Sequence, residues 1–161
     1  MRPIFKRLLI TGLIAGTLDI LSAYVSIFIQ SGRISRRMFQ YIAGGALGLK
    51  NTLDGGAPII LLGVFFHYFI AFSFTLFFFF LYRKNRVFGL NKYLAALLYG
   101  YFIWAVMNLV VLPLSALPPG KITVGNALKD GCILAVMIGL PSALSASAYY
   151  DKLKPMPRQT R

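Results

Sequence analysis

The sequence predicts an all-α membrane protein, a four-transmembrane-helix bundle with an interfacial helix between spans one and two. Three observations predict it. Apolar residues make up 58% of the 161 and charged residues only 13%, against about a quarter charged in soluble domains, and the mean hydropathy is +0.71. The apolar residues gather into four runs, each near the roughly 20 residues that cross about 30 Å of hydrocarbon at 1.5 Å per residue. The polar residues gather between those runs, and they are mostly basic: 17 Lys and Arg against four acidic residues give a net charge of +13. Such a charge suits nucleic acid or anionic lipid. The hydropathy decides for the lipid bilayer and its anionic headgroups, with no nucleic-acid partner expected.

The first span is read from Leu8 to Ile29. Arg2, Lys6 and Arg7 before it imitate a secretory signal, but the apolar run is longer than a signal core and carries Asp19 at its centre, so it reads as an uncleaved anchor. Gly12, Gly16, Asp19, Ala23, Ser26 and Gln30 fall within about 80° of one another on a helical wheel, making one face small or polar. Gly12 and Gly16 have the GxxxG spacing that lets helix backbones approach closely in lipid.

The connection from Gln30 to Gly56 is where the interfacial helix is expected, over Ile34 to Leu49. Arg33, Arg36, Arg37 and Gln40 share one sector of the wheel, and Ile34, Met38, Tyr41, Ile42 and Leu49 share another. Gly44, Gly45 and Gly48 make the segment too weak a helix former for a fifth crossing. A solvated basic loop is the competing reading. Asp54, Gly55 and Gly56 then form a turn into the second span, with Asp54 a candidate cap.

The second span runs from Ala57 to Tyr82, with Phe77 to Phe80 read as lipid-facing bulk and Gly63, His67 and Ala71 along one ridge. Gly63 joins Gly12 and Gly16 as a helix-packing position. Arg83, Lys84, Arg86 and Lys92 mark a short polar turn, after which the third span runs from Tyr93 to Pro113 and is closed by Pro113, Pro118 and Pro119. The fourth runs from Gly131 to Tyr150, with Lys129 and Asp130 before it at the boundary and Gly139 with Pro141 as a kink site. The spans take over half the chain, so residues 1–161 form a single integral membrane domain.

Eleven of the 17 Lys and Arg fall at the N-terminus, the 83–92 turn and the C-terminal tail. The positive-inside rule makes that side cytoplasmic, with both termini inside, and Tyr82, Tyr93, Tyr149 and Tyr150 land at the same boundary as an aromatic belt.

At 1.5 Å per residue, Asp19 and Ser142 lie near the membrane centre, His67 a few ångströms outward and Asn108 about 7 Å outward. Asp19, His67, Asn108 and Ser142 therefore form a candidate intramembrane polar site. A carboxylate at that depth costs at least about 2.5–3.5 kcal/mol unless partnered or neutralised. Asp19 and His67 could pair or pass a proton; a structural hydrogen bond serves Asp19 equally well, and a packing role serves His67. The single Cys132 excludes an internal disulfide and is expected to be an inert small residue, and one His without a Cys or carboxylate cluster leaves no metal site. No phosphate loop, dinucleotide fingerprint or nucleophile elbow is present, so neither a cofactor nor an enzyme is expected.

GLIAGTLDI at 12–20, LLGVFFHYFIAF around His67 and YGYFIWAVMNLVVLPLSALPP at 99–119 resemble stretches of the YagU-like family of uncharacterised bacterial inner-membrane proteins. The resemblance implies a multi-pass protein of the cell inner membrane and carries no catalytic residues; the connection between spans one and two is shorter here than in that family. The specific activity expected is small-solute or proton-linked transport through the polar layer, in an oligomer, since four spans enclose little volume. A non-catalytic membrane subunit or assembly factor, whose polar layer fixes helix register, is the alternative.

Overall fold

The computed structural model describes residues 2–32, 37–84, 91–118, 120 and 122–151, with side chains from residue 4 onward. It is helical and, among the described residues, contains no strand. Four helices are long and apolar enough to cross a membrane: α1 (Arg2–Ser31), α4 (Ala57–Lys84), α5 (Lys92–Leu114) and α6 (Val124–Tyr150). Between α1 and α4 lie α2 (Arg37–Leu47) and a single turn, α3 (Leu49–Thr52). The four long apolar helices mark a membrane-embedded protein.

Helix ends depart from the apolar runs where capping groups outrank hydropathy. Helix α6 starts at Val124, seven residues before the expected Gly131, because the Thr123 hydroxyl accepts the Asn126 N–H at 3.2 Å and supplies the missing first-turn partner. Lys129 and Asp130 thus sit inside the helix, ion-paired to each other at 3.3 Å. Helix α5 starts under Asn91, whose side chain accepts from the Tyr93 and Leu94 amides. Helix α1 extends to Arg2 because Arg7, the residue just before the apolar run, donates to the Ser145 carbonyl at 3.3 Å and lies over the Tyr149 ring.

Both late helices contain a π-helical turn, Met107–Val111 in α5 and Ala135–Gly139 in α6. Each is centred four residues before a proline, on Leu109 before Pro113 and on Met137 before Pro141. A proline ring collides with the carbonyl four residues back and offers no N–H to it; one wide turn relieves both problems without ending the helix. Helix α5 accordingly ends at Leu114, one residue past Pro113, and Gly139, at the end of its wide turn, has a second role.

That role is contact. A methyl at Gly139 would strike the Ala96 carbonyl, and one at Gly100 would strike the Ala135 backbone, so α5 and α6 touch backbone to backbone. The same closeness holds at Gly63, where a methyl would meet the Phe39 carbonyl of α2. Gly12 and Gly16 differ: they receive the Phe72 and Tyr68 rings of α4, so the GxxxG face accepts aromatic knobs rather than a neighbouring backbone.

The core lies toward the end of the molecule that carries the start of α1, the end of α4, the start of α5 and the end of α6, here the terminal end. Phe78, Phe79 and Tyr82 of α4 meet Ala95, Ala96 and Tyr99 of α5, Ala143 and Ala146 of α6, and Ala15 of α1. The run Phe77 to Phe80 is accordingly split by helical periodicity: Phe78 and Phe79 are buried, Phe77 and Phe80 exposed. Tyr82 and Tyr150 stack with centroids 5.9 Å apart.

Helix α2 ends at Gly48, whose φ of 81° suits glycine, and Thr52 of α3 folds back beside Gly44. The expected start at Ile34, with Arg33 and Arg36, lies outside the described residues; Arg37 begins the helix and is exposed. Gln40, expected on the wet face with the arginines, is buried and donates to the Gly55 carbonyl at 2.5 Å. The reason is the loop beneath it: Gly55 precedes a helix, its carbonyl has no ladder partner, and a side-chain amide from α2 supplies one.

Candidate functional site

At the other end of the molecule, between the α2 cap and the packed core, the long helices leave a cavity of about 310 Å³. Asp19 from α1, His67 from α4 and Asn108 from α5 all line it, against an otherwise apolar wall that includes Ile42 of α2, Phe74 of α4 and Ile138 of α6. Three of the four polar residues singled out by depth are thus brought to one space by three different helices. Ser142 is not among its lining residues. It lies one turn beyond Ile138, about 6 Å further toward the terminal end, where it is fully buried and its hydroxyl makes no hydrogen bond.

Each side chain reaches the cavity for a local reason. Gly16 admits the Tyr68 ring, and α4 then lies close enough for His67 Nε2 to stand 2.9 Å from the Gly16 carbonyl. A carbonyl oxygen only accepts, so Nε2 carries the proton and donates. The same nitrogen is 4.0 Å from Asp19 Oδ2, a distance that becomes an ion pair when the ring is doubly protonated. Asp19 lies one turn after Gly16 on the same face, which is why histidine and carboxylate meet. The two side chains are largely shielded, with 12% of His67 and 25% of Asp19 exposed.

Asn108 belongs to the π-helical turn of α5, and its amide donates to the Trp104 carbonyl at 2.9 Å. That carbonyl lies in the α-helical turn just before, where it also accepts the Met107 N–H, so the Asn108 side chain bonds back to its own helix. Among the described residues no Lys or Arg forms an ion pair with Asp19, and no group of three metal-ligating side chains occurs. The residues present can hold a proton, accept a cation at the Asp19 carboxylate, or hydrogen-bond a polar group at Asn108.

The cavity ends against the packed core. Phe74 and Ile103 stand beneath it, and the Phe74 carbonyl accepts the Tyr99 hydroxyl at 2.5 Å, tying α4 to α5 where the core begins. On the α2 side a second hollow of about 470 Å³ opens between α4 and α5. The two share Ile42, Ile70, Met107 and Leu112 as common walls.

Sequence reasoning missed α2 as part of this site. Ile42 was readable as an apolar residue of a surface helix, yet the packing at Gly63 pulls that helix onto α4 and turns Ile42 over the cavity. Cys132 is exposed and lies 3.2 Å from the Tyr101 hydroxyl, away from this space.

No protein-family model matches the chain, and no curated protein or solved structure is significantly similar to it. The functional reading therefore rests on the cavity.

Proposed function

We propose that the chain is a transport protein of the bacterial inner membrane, its four long helices forming a transmembrane bundle that binds a small solute or a proton at Asp19, His67 and Asn108. The observation that carries this reading is the convergence of three polar side chains from three helices on one space of about 310 Å³. Polar groups at membrane depth are costly and face an interior or a hydrated space. Here the packed core lies on the terminal side of them, and α2, held to the end of α5 by the Ala116 N–H on the Gly45 carbonyl, lies on the other. In this reading both termini are cytoplasmic, α2 lies at the outer surface with Arg37 toward headgroups, and a second copy enlarges the volume four spans enclose. Kinship with the YagU-like proteins rests on the three stretches quoted above.

The test uses the purified chain in sealed vesicles. Asp19→Asn abolishes proton-linked or solute flux with the yield of folded protein unchanged, and a cysteine at residue 46 or 50, both exposed, in a Cys132→Ala background is labelled from the side opposite the termini. Loss of folding in Asp19→Asn, or flux unaffected by it, overturns the transport reading. One observation favours the alternative, a non-catalytic subunit or assembly factor. His67 and Asn108 already bond to helix carbonyls, as side chains that only fix register do. That reading gains if Asp19→Asn and His67→Gln both weaken assembly with a partner chain and leave flux absent in every variant.

A further inference from the structure

Two hollows that share a wall, one polar and one apolar, define more than a binding site; they define the shape of a ligand. We propose that the cavity takes a lipophilic cation, an amine or quaternary ammonium carrying one apolar tail, with its charged head at Asp19 and its tail in the groove between α4 and α5. The proposal rests on the reading of the Asp19 cavity as a transport site and names the substrate class of that site.

Charge gives the head. Among the described residues the carboxylate of Asp19 has His67 as its ion-pair neighbour, at 4.0 Å, while Nε2 of that ring is committed to the Gly16 carbonyl. The remaining wall is apolar apart from Asn108. With no Lys or Arg beside it in a low-dielectric space, this carboxylate is completed either by a proton or by a cation that displaces the proton, and it offers nothing to an anionic head.

Shape and surface give the tail. The neighbouring groove is almost wholly apolar, and its walls carry Phe65, Phe66 and Phe69 of α4 and Tyr41 of α2. Phe65 and Phe69 stack with centroids 6.1 Å apart and stand largely exposed at its edge. Aromatic faces attract a cation as it passes and pack against methylenes once it has passed. Ile42, Ile70, Met107 and Leu112 line both hollows as one shared apolar wall, so the path from a head at Asp19 to a tail in the groove runs past these four side chains, which swing aside to open it. That path lies between α4 and α5 in the apolar part of the chain, where a ligand dissolved in the bilayer arrives without crossing water. Met107 is unbranched and adapts to tails of differing shape.

The test measures equilibrium binding of decyltrimethylammonium to the full chain in phosphatidylcholine nanodiscs, with empty nanodiscs subtracted. Saturable binding is expected, together with none for decyl sulfate or decanol. Asp19→Asn is expected to weaken it by at least about tenfold. Ala46→Trp, which fills the groove away from Asp19, is expected to weaken the decyl probe by at least about tenfold and to leave butyltrimethylammonium within about twofold. Saturable binding of decyl sulfate, or an unchanged affinity in folded Asp19→Asn, overturns the proposal. If Asp19→Asn does not fold, the chain-length split in Ala46→Trp decides, and its absence overturns the proposal. Binding that is saturable and Asp19-dependent while vesicles accumulate no cation sinks transport and leaves this inference standing. Flux of protons without any saturable cation binding does the reverse.

Discussion

The terminal half of the molecule and the α2 half are built from the same four long apolar helices, in opposite ways. In the terminal half large rings alternate with alanine: Phe78 meets Tyr99 edge to face at 4.7 Å, and Ala95, Ala96, Ala143 and Ala146 let the helices close around them. In the α2 half the large side chains turn outward, Phe65 and Phe69 each being 60% exposed, and the interior is left to cavities and to Asp19, His67 and Asn108. Lipid tails are as apolar as leucine, so composition alone drives no association; packing and hydrogen bonding do. The terminal half has close packing and the cross-helix bonds of Thr11 to Ser145 at 2.6 Å and of Tyr99 to the Phe74 carbonyl, and it holds the helices together even with the Ser142 hydroxyl unpaired. The other half is thereby free to remain open.

The largest test of this contrast puts bulk at two close contacts. Gly139→Leu drives a side chain into the Ala96 carbonyl of the packed α5–α6 pair and is expected to cost about 3 kcal/mol or more, read as loss of monodisperse protein on size exclusion. Gly63→Leu meets the Phe39 carbonyl instead, and α2 can move away. The expected outcome is folded protein with faster amide exchange over residues 37–47. Equal loss of folding in both would erase the distinction between the halves.

Truncation comes next. Phe78 is fully buried, so Phe78→Ala opens a new void and is expected to cost about 3 kcal/mol in mixed-micelle unfolding. Ile70→Ala only enlarges hollows already present and is expected to cost under about 1 kcal/mol, since the penalty follows the void created.

A smaller effect sharpens the account of His67. A glutamine amide can replace Nε2 as donor to the Gly16 carbonyl, whereas phenylalanine cannot. His67→Phe is therefore expected to be about 1 kcal/mol less stable than His67→Gln, and equal stabilities would show that the bond contributes nothing to the α1–α4 contact.

The smallest effect on stability has the clearest effect on the site. Pro113→Ala removes the reason for the wide turn at 107–111 and should leave unfolding within about 0.5 kcal/mol. Rewinding that turn rotates Asn108 by about 100°. A cysteine at 108 in a Cys132→Ala background should then change its reactivity toward a small thiol reagent; unchanged reactivity would mean that the wide turn has another cause.

The sequence by itself determined the elements that follow from hydropathy and period. The four long helices were legible because a bilayer-length run is a property of consecutive residues. That Asp19, His67 and Asn108 lie at similar depth was legible for the same reason, since rise per residue converts position into height. Which way each helix turns at that height was not. Ser142 shows the limit: the Thr123 cap starts α6 seven residues before the expected Gly131, and packing against α5 at Gly100 and Gly139 sets both its height and its rotation, so the serine expected level with Asp19 lies in the core below the cavity. Gln40 shows it again, because a polar residue on a surface helix reads as wet until a loop carbonyl 15 residues away is found to need its amide. Depth and length are one-dimensional and survive in the sequence. Rotation, close approach and the partners of polar groups depend on residues distant in the chain, and only the packed tertiary structure decides them.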